Sequence, residues 1–205
     1  MMKRIGAIIF LLFISVSKAF AGTFVVYDAL TEIENVTVIT MDGNHISEDM
    51  TISIRDGEIY ALYNTAEFKS FCENDEKAIC FKAATVIDGT SKFLIPGLAE
   101  MHGHIPNATT IDQDLEDLLF LYVSQGVTTV RGMLGAPGQF ELRDKINAGE
   151  VLGPTLYLGG PSFNGSSVSS PNQARRMVRD QVAAGWDFLK IHPGLTRAEY
   201  DAMAD

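Results

Sequence analysis

Two histidines stand one residue apart in LIPGLAEMHGHIP, residues 94–106, in a chain that has only four. In an extended segment, side chains two positions apart leave the backbone on the same face. Two imidazoles on one face of a strand end can grip a single divalent ion, and zinc accepts imidazole nitrogen at about 2.0–2.1 Å. Gly103, between His102 and His104, would let the backbone run close to whatever is bound. Taken alone, the pair is equally compatible with two structural histidines in a turn. A second residue adds weight: Lys190, in WDFLKIHPG. A lysine among apolar neighbours is costly unless it is paired or chemically changed, although one at a strand end can also extend its amine to solvent. Phe188, Lys190 and His192 would share one face of a strand. His192, one step beyond Lys190 and before Pro193, reads as structural or pocket-lining rather than as a ligand. Arg131, at the end of TTVR, could meet a substrate carboxylate or pair with a neighbouring acid.

The elements that must position these residues change character along the chain. From Phe24 to about Phe93 the pattern is β: Val-, Ile- and Thr-rich runs, with alternation on both sides of Asp56-Gly57, a hairpin signal. No long helix is evident there, and the segment predicts a small β-sandwich-like domain. After Pro96 short apolar strands alternate with helical patterns. LAEMHGHI, GVTTVRGML, TLYLGG and WDFLKIHPG predict strands. Residues 112–126, FELRDKINAGE, residues 172–185 and TRAEYDAMAD predict helices, the last with Thr196 as N-cap. Four β-then-α units in a row predict a parallel sheet with helices outside and chemistry at the carboxyl ends of the strands. The fold class is therefore α/β.

Residues 1–21 predict a secretory signal peptide: Lys3 and Arg4, an apolar run of 12 residues from Ile5 to Val16, and Ala19-Phe20-Ala21 as the cleavage site, with the cut after Ala21. The apolar run is too short for a bilayer span, which needs roughly 20 residues. A periplasmic or secreted protein follows, with no membrane association after cleavage. Loss of Lys3, Arg4 and Lys18 takes the formal net charge from −10 to −13, which disfavours nucleic acid and anionic membranes as partners. In an oxidising compartment Cys72 and Cys80, the two cysteines, predict a disulfide closing a small loop.

The run FLIPGLAEMHGHIP after a β-rich segment resembles the opening of an amidohydrolase-superfamily metalloenzyme, in the branch of imidazolonepropionases and metal-dependent Xaa-Pro dipeptidases. GVTTVRGML and WDFLKIHPGLT fall where that branch has its second and fourth barrel strands, and the likeness extends over residues 30–205. The resemblance implies residues 22–95 as a small β domain and residues 96–205 as the amino-terminal half of a (β/α)8 barrel. It implies His102 and His104 as ligands of the more buried metal, and Lys190 as a lysine that takes up CO₂ to become a carbamate bridging two ions. Carbamylation makes a buried cation into an anion, which two dications stabilise. One or two zinc ions, or Mn²⁺ or Co²⁺, suit such donors. The implied activity is metal-dependent hydrolysis of a C–N bond in a small-molecule amide or dipeptide, through a water activated by the metal.

The same family pattern requires two further histidines and a general-base aspartate on later strands, expected beyond residue 205. A complete barrel typically takes about 250 residues, whereas Leu98–Asp205 comprises 108. A half-barrel would leave unpaired strand edges and would aggregate or pair with a second copy as a homo-oligomer. Two alternatives to a hydrolase therefore stand beside it: a catalytically incomplete fragment, and a non-catalytic metal-binding or interaction module.

Overall fold

The computed structural model describes residues 23–205, so the signal-peptide reading and its cleavage site lie outside the described residues. The chain divides into two compact units, one ending at Pro96 and the other comprising Gly97–Asp205.

The first unit is built around one long strand. β1 (Thr23–Ile39) pairs antiparallel with β2 (Ile46–Arg55), parallel with β4 (Ile79–Asp88), and parallel at its end with β5 (Phe93–Leu94), while β3 (Glu58–Asn64) adds to β2. Register shifts along β1 let it serve these partners in turn. The five strands form one mixed sheet joined through β1, in place of the two-layered sandwich expected from the pattern. The β2–β3 hairpin turns at Asp56-Gly57, with φ of 53° and 79°. Two successive positive φ values match the primed turn that strand twist favours, as the Asp-Gly pair predicts. Val36, Val38 and Ile52 are buried at the centre of the sheet.

One element there departs from the sequence reading. A ten-residue helix, α1 (Thr65–Asn74), interrupts the strands, capped by Asn64, whose side chain accepts from the Glu67 N–H. Only Thr65 and Cys72 of this helix are buried, so its apolar stripe is too thin to register as a helical period. What holds it is covalent. Cys72 is bonded to Cys80 on β4, with Cα atoms 6.1 Å apart, and both residues are buried. The expected disulfide is present and ties α1 to the sheet.

The second unit alternates strands and helices. β6 (Leu98–Gly103), β7 (Val127–Gly132) and β8 (Thr155–Leu158) form a parallel sheet in that order, and α2 (Gln113–Ser124), α3 (Gln139–Asn147), α4 (Pro171–Ala184) and α5 (Arg197–Ala204) intervene or follow. The helices fall where the sequence pattern places them, α2 with its leucines at helical spacing. Asp112, Ser170 and Thr196 cap the starts of α2, α4 and α5, and Thr196 and Glu199 form a reciprocal capping box. Leu115 and Leu119 of α2 and Leu142 of α3 pack with Val130 of β7 and with Leu156 and Leu158 of β8. One face of the sheet is thus buried under helices. Phe163, Val168, Ala174, Ala202 and Met203 make a second cluster around α4 and α5.

The expected fourth strand is broken. Phe188 and Ile191 join the neighbouring chain through isolated bridges to Gly159 and Phe163. The Gly160 N–H donates to the Phe188 carbonyl and the Phe163 N–H to the Lys190 carbonyl. These donors are three residues apart, where a regular parallel ladder uses every second residue, so the pairing slips and only isolated bridges form.

The loops that follow β6 and β7 are locked by one side chain. Gln139, 1 % exposed, donates from Nε2 to the carbonyls of Ile105 (2.5 Å), Pro106 (3.3 Å) and Leu134 (3.2 Å), and accepts at Oε1 from the Ala136 N–H (3.1 Å).

Two stability predictions follow from these links. Replacing Cys72 and Cys80 together by serine is expected to lower the unfolding free energy by about 2.5 kcal/mol, seen as an earlier midpoint in urea, and dithiothreitol should reproduce the loss in the unaltered chain. Gln139→Leu strips buried carbonyls of their donor and is expected to cost about 1–3 kcal/mol, with faster amide exchange in the loops after β6 and β7.

Candidate functional site

Strand periodicity assigns the faces. Val130 points into the helix-covered core, so its neighbours Thr129 and Arg131 point to the other face. Arg131 is paired in register with Tyr157 of β8, which likewise alternates with the buried Leu156 and Leu158. His102 lies on that open face of β6. Its neighbour Gly103 faces the opposite way: a Cβ there would stand 2.6 Å from Val130 Cγ1 and 3.4 Å from the Tyr122 hydroxyl. Gly103 therefore faces the helices, and its missing side chain makes room for core packing. The expectation that it brings the backbone close to a ligand is corrected accordingly.

His102 and His104 stand together as predicted, both exposed, with ring centroids 5.5 Å apart. The local backbone of β6 is irregular there. The ladder to β7 shifts register between Glu100 and Gly103, and the His102 N–H is taken by the Glu100 carboxylate, Oε1, at 2.7 Å. Glu100 thus replaces a ladder bond at the residue that carries the first imidazole. Nothing in the local sequence pattern signals that role.

Lys190 joins this pair. Its residue is 7 % exposed, and its Nζ lies 3.3 Å from His102 Nε2, across 88 residues of sequence. Among the described residues Lys190 has no ion pair with a carboxylate; its partner is the imidazole. His192 is exposed, and its backbone N–H donates to the Phe163 carbonyl at 2.8 Å.

Arg131 is neither salt-bridged among the described residues nor free-swinging. Its guanidinium lies 4.5 Å from the centre of the Phe188 ring, a cation–π contact that fixes the plane and leaves the N–H edges open. Phe188 in turn lies over Gly159, where a Cβ would come within 2.5 Å of the ring. The glycine is required for that close approach.

Three further residues missed in the sequence hold the open end together. Besides Gln139, Asp187 accepts from the Leu158 N–H (2.7 Å) and pairs with Arg143 of α3 (3.0 Å), anchoring the broken fourth segment to β8. Gln181 of α4 donates to the Pro161 carbonyl at 2.7 Å. Asp187 stands out as a polar residue in the apolar run WDFLKI, whereas Gln139 and Gln181 have polar residues nearby and read as ordinary surface positions.

Chemically, the open face carries two imidazoles and a buried amine within reach of one of them, with a guanidinium on the adjacent strand. Imidazole and, once carboxylated, the lysine side chain are donors that suit a divalent transition ion. Among the described residues no group of three His, Cys, Asp or Glu is placed to hold a metal. A buried lysine whose partner is an imidazole rather than a carboxylate is the feature such a group would satisfy, so the residues present fit part of a metal centre.

No protein-family model and no curated protein matches the chain. Solved structures do. A Xaa-Pro dipeptidase with methionine in its active site superposes with a TM-score of 0.65 at 19 % identity, covering 85 % of this chain and 53 % of that one. Phenylurea hydrolase B gives 0.66 at 17 %, over 85 % and 52 %. Molinate hydrolase gives 0.66 at 18 %, over 87 % and 51 %. The chain spans about half the length of these structures. Its resemblance to the amidohydrolases, read from FLIPGLAEMHGHIP, is matched in three dimensions: the chain has the mixed α/β fold of part of an amidohydrolase.

Proposed function

We propose that the chain is the metal-gripping part of a metal-dependent hydrolase that cleaves a C–N bond in a small amide or dipeptide. One observation carries the reading: the Lys190 amine, buried and without a carboxylate partner among the described residues, meets His102 Nε2 at 3.3 Å beside His104. In this reading the unit ending at Pro96 is a small β domain, and residues 96–205 supply the first half of a (β/α)8 barrel. The disulfide supports a periplasmic or secreted setting.

The residues divide the work. His102 and His104 direct ring lone pairs to the open face, which requires both to be neutral. The neutral Lys190 amine attacks the carbon of CO₂; a C–N bond forms, one C=O π bond becomes the carboxylate, and the amine proton leaves to solvent. The side chain then carries a carboxylate anion in place of the amine. His102, His104 and the carboxylated Lys190 would hold a divalent ion, which would supply a nucleophilic water at neutral pH and polarise the scissile carbonyl. Arg131, held flat by Phe188, offers its N–H edge to a substrate carboxylate. The support for substrate class comes from the structural neighbours, among them a Xaa-Pro dipeptidase, an amidohydrolase and a phenylurea hydrolase. The zinc assignment rests on donor type, which Mn²⁺ and Co²⁺ share.

A second reading has its own observation. The donors gathered among the described residues are two imidazoles and a lysine, and no third His, Cys, Asp or Glu joins them. A catalytically incomplete remnant that binds one ion weakly would have this set.

Elemental analysis of the purified protein separates the readings. The proposal predicts zinc or another divalent metal at one or two ions per chain, reduced at least tenfold by His102→Ala and by Lys190→Ala. Metal absent from the unaltered protein, or retained in both variants, would contradict it. In a metal-loaded, active form, Arg131→Leu is expected to raise KM for a substrate bearing a free carboxylate about tenfold or more and to leave kcat within a few-fold.

A further inference from the structure

The unit that ends at Pro96 contains a cavity of about 550 Å³, within the size range of small-molecule sites. Its lining comes entirely from that unit, and the hydrolase reading makes no use of it. On its wall is Glu32, 5 % exposed. The Ser53 hydroxyl (2.9 Å) and the Tyr63 phenol (2.7 Å) both donate to the same carboxylate oxygen, Oε1. Among the described residues Oε2 accepts no hydrogen bond, and no lysine or arginine pairs with this carboxylate. Lys69, also on the lining, is already committed to Glu34 at 2.9 Å.

A buried carboxylate is costly without a cation or further donors. Two neutral hydroxyls relieve one oxygen and leave the other without a donor among the described residues, on a side chain that lines the cavity. Burial, the largest influence, pushes the Tyr63 phenol above the ordinary tyrosine range, which keeps its proton in place as a donor to Glu32. The rest of the wall is mostly apolar or paired, with the exposed Glu73 and Lys82 also on the lining. Tyr63 and Phe68 form a ring pair with centroids 4.5 Å apart. The Thr51 and Thr65 hydroxyls bond each other at 2.8 Å. Lys69 is held by Glu34 and Lys82 is exposed, so neither lining lysine pairs with Glu32, and the rings have an open apolar face.

We propose that this cavity binds a small organic ammonium ion with an apolar or aromatic body, its nitrogen seated on Glu32 Oε2. The ammonium supplies the missing donors and charge, and the body displaces water from the aromatic wall.

The test is calorimetric titration of the whole protein with 2-phenylethylammonium chloride, with sodium phenylacetate as the anion of matching shape. The expected result is saturable one-to-one binding of the amine, none of the anion, and at least tenfold weaker binding by Glu32→Gln. The glutamine keeps an acceptor for Ser53 and Tyr63 while removing the charge. Val86→Trp, at an exposed position on the lining, fills the cavity from its rim; it should weaken binding as strongly and decides the matter if Glu32→Gln fails to fold. No saturable binding, equal binding of phenylacetate, or undiminished binding in a folded Glu32→Gln or Val86→Trp variant would overturn the proposal. Metal content is unaffected by these variants, so the outcome is independent of the hydrolase reading.

Discussion

Leu119, Val130, Leu142 and Leu158 are wholly buried between the parallel sheet and its helices, and that one-sided burial sets the rest of the second unit. Each such side chain contributes on the order of 1.5–3 kcal/mol by leaving water, so the helix-covered face is fixed. A strand alternates every residue. Fixing Val130, Leu156 and Leu158 inward therefore fixes Arg131 and Tyr157 outward, and the close packing of Gly103 on Val130 does the same for His102. The chemistry-bearing residues share a face because their neighbours are committed to the core.

A face is not yet a site. The loops and the broken fourth segment still have to hold their side chains at fixed distances, and buried polar side chains do this where regular ladders fail. Glu100 takes the His102 N–H at the register shift. Gln139 gathers the loops after β6 and β7. Asp187 ties the chain leading to Lys190 onto the end of β8. Each occupies a point where a backbone donor or acceptor would otherwise be buried without a partner, which would be more costly than the bond itself is favourable. Their combined effect is to bring the Lys190 amine to His102 across the sheet.

Much of this was legible in the sequence because it rests on local periodicity. The histidine pair on a strand, the helices of the second unit, the Thr196 cap and the Asp56-Gly57 turn each follow from spacing within a few residues. What escaped depends on partners distant in sequence. α1 buries too little to show a helical stripe and is held by a cysteine bond to β4. The fourth strand reads as continuous in the sequence, but its pairing with the neighbouring segment slips between Gly160 and Phe163. Gly103 looks the same in sequence whether it faces a ligand or a helix. Arg131 was read as a partner for a carboxylate, and its contact with Phe188 required knowing that Gly159 leaves room for the ring.

The central claim is that the open face beside Lys190 grips a divalent ion. Anomalous diffraction at the zinc edge, from crystals of the protein grown with zinc chloride, tests it most directly. The account predicts a peak within bonding distance of the His102 and His104 rings, about 2.0–2.1 Å from nitrogen, with the Lys190 side chain beside it. Zinc bound only at other residues, with both imidazoles free, would contradict it.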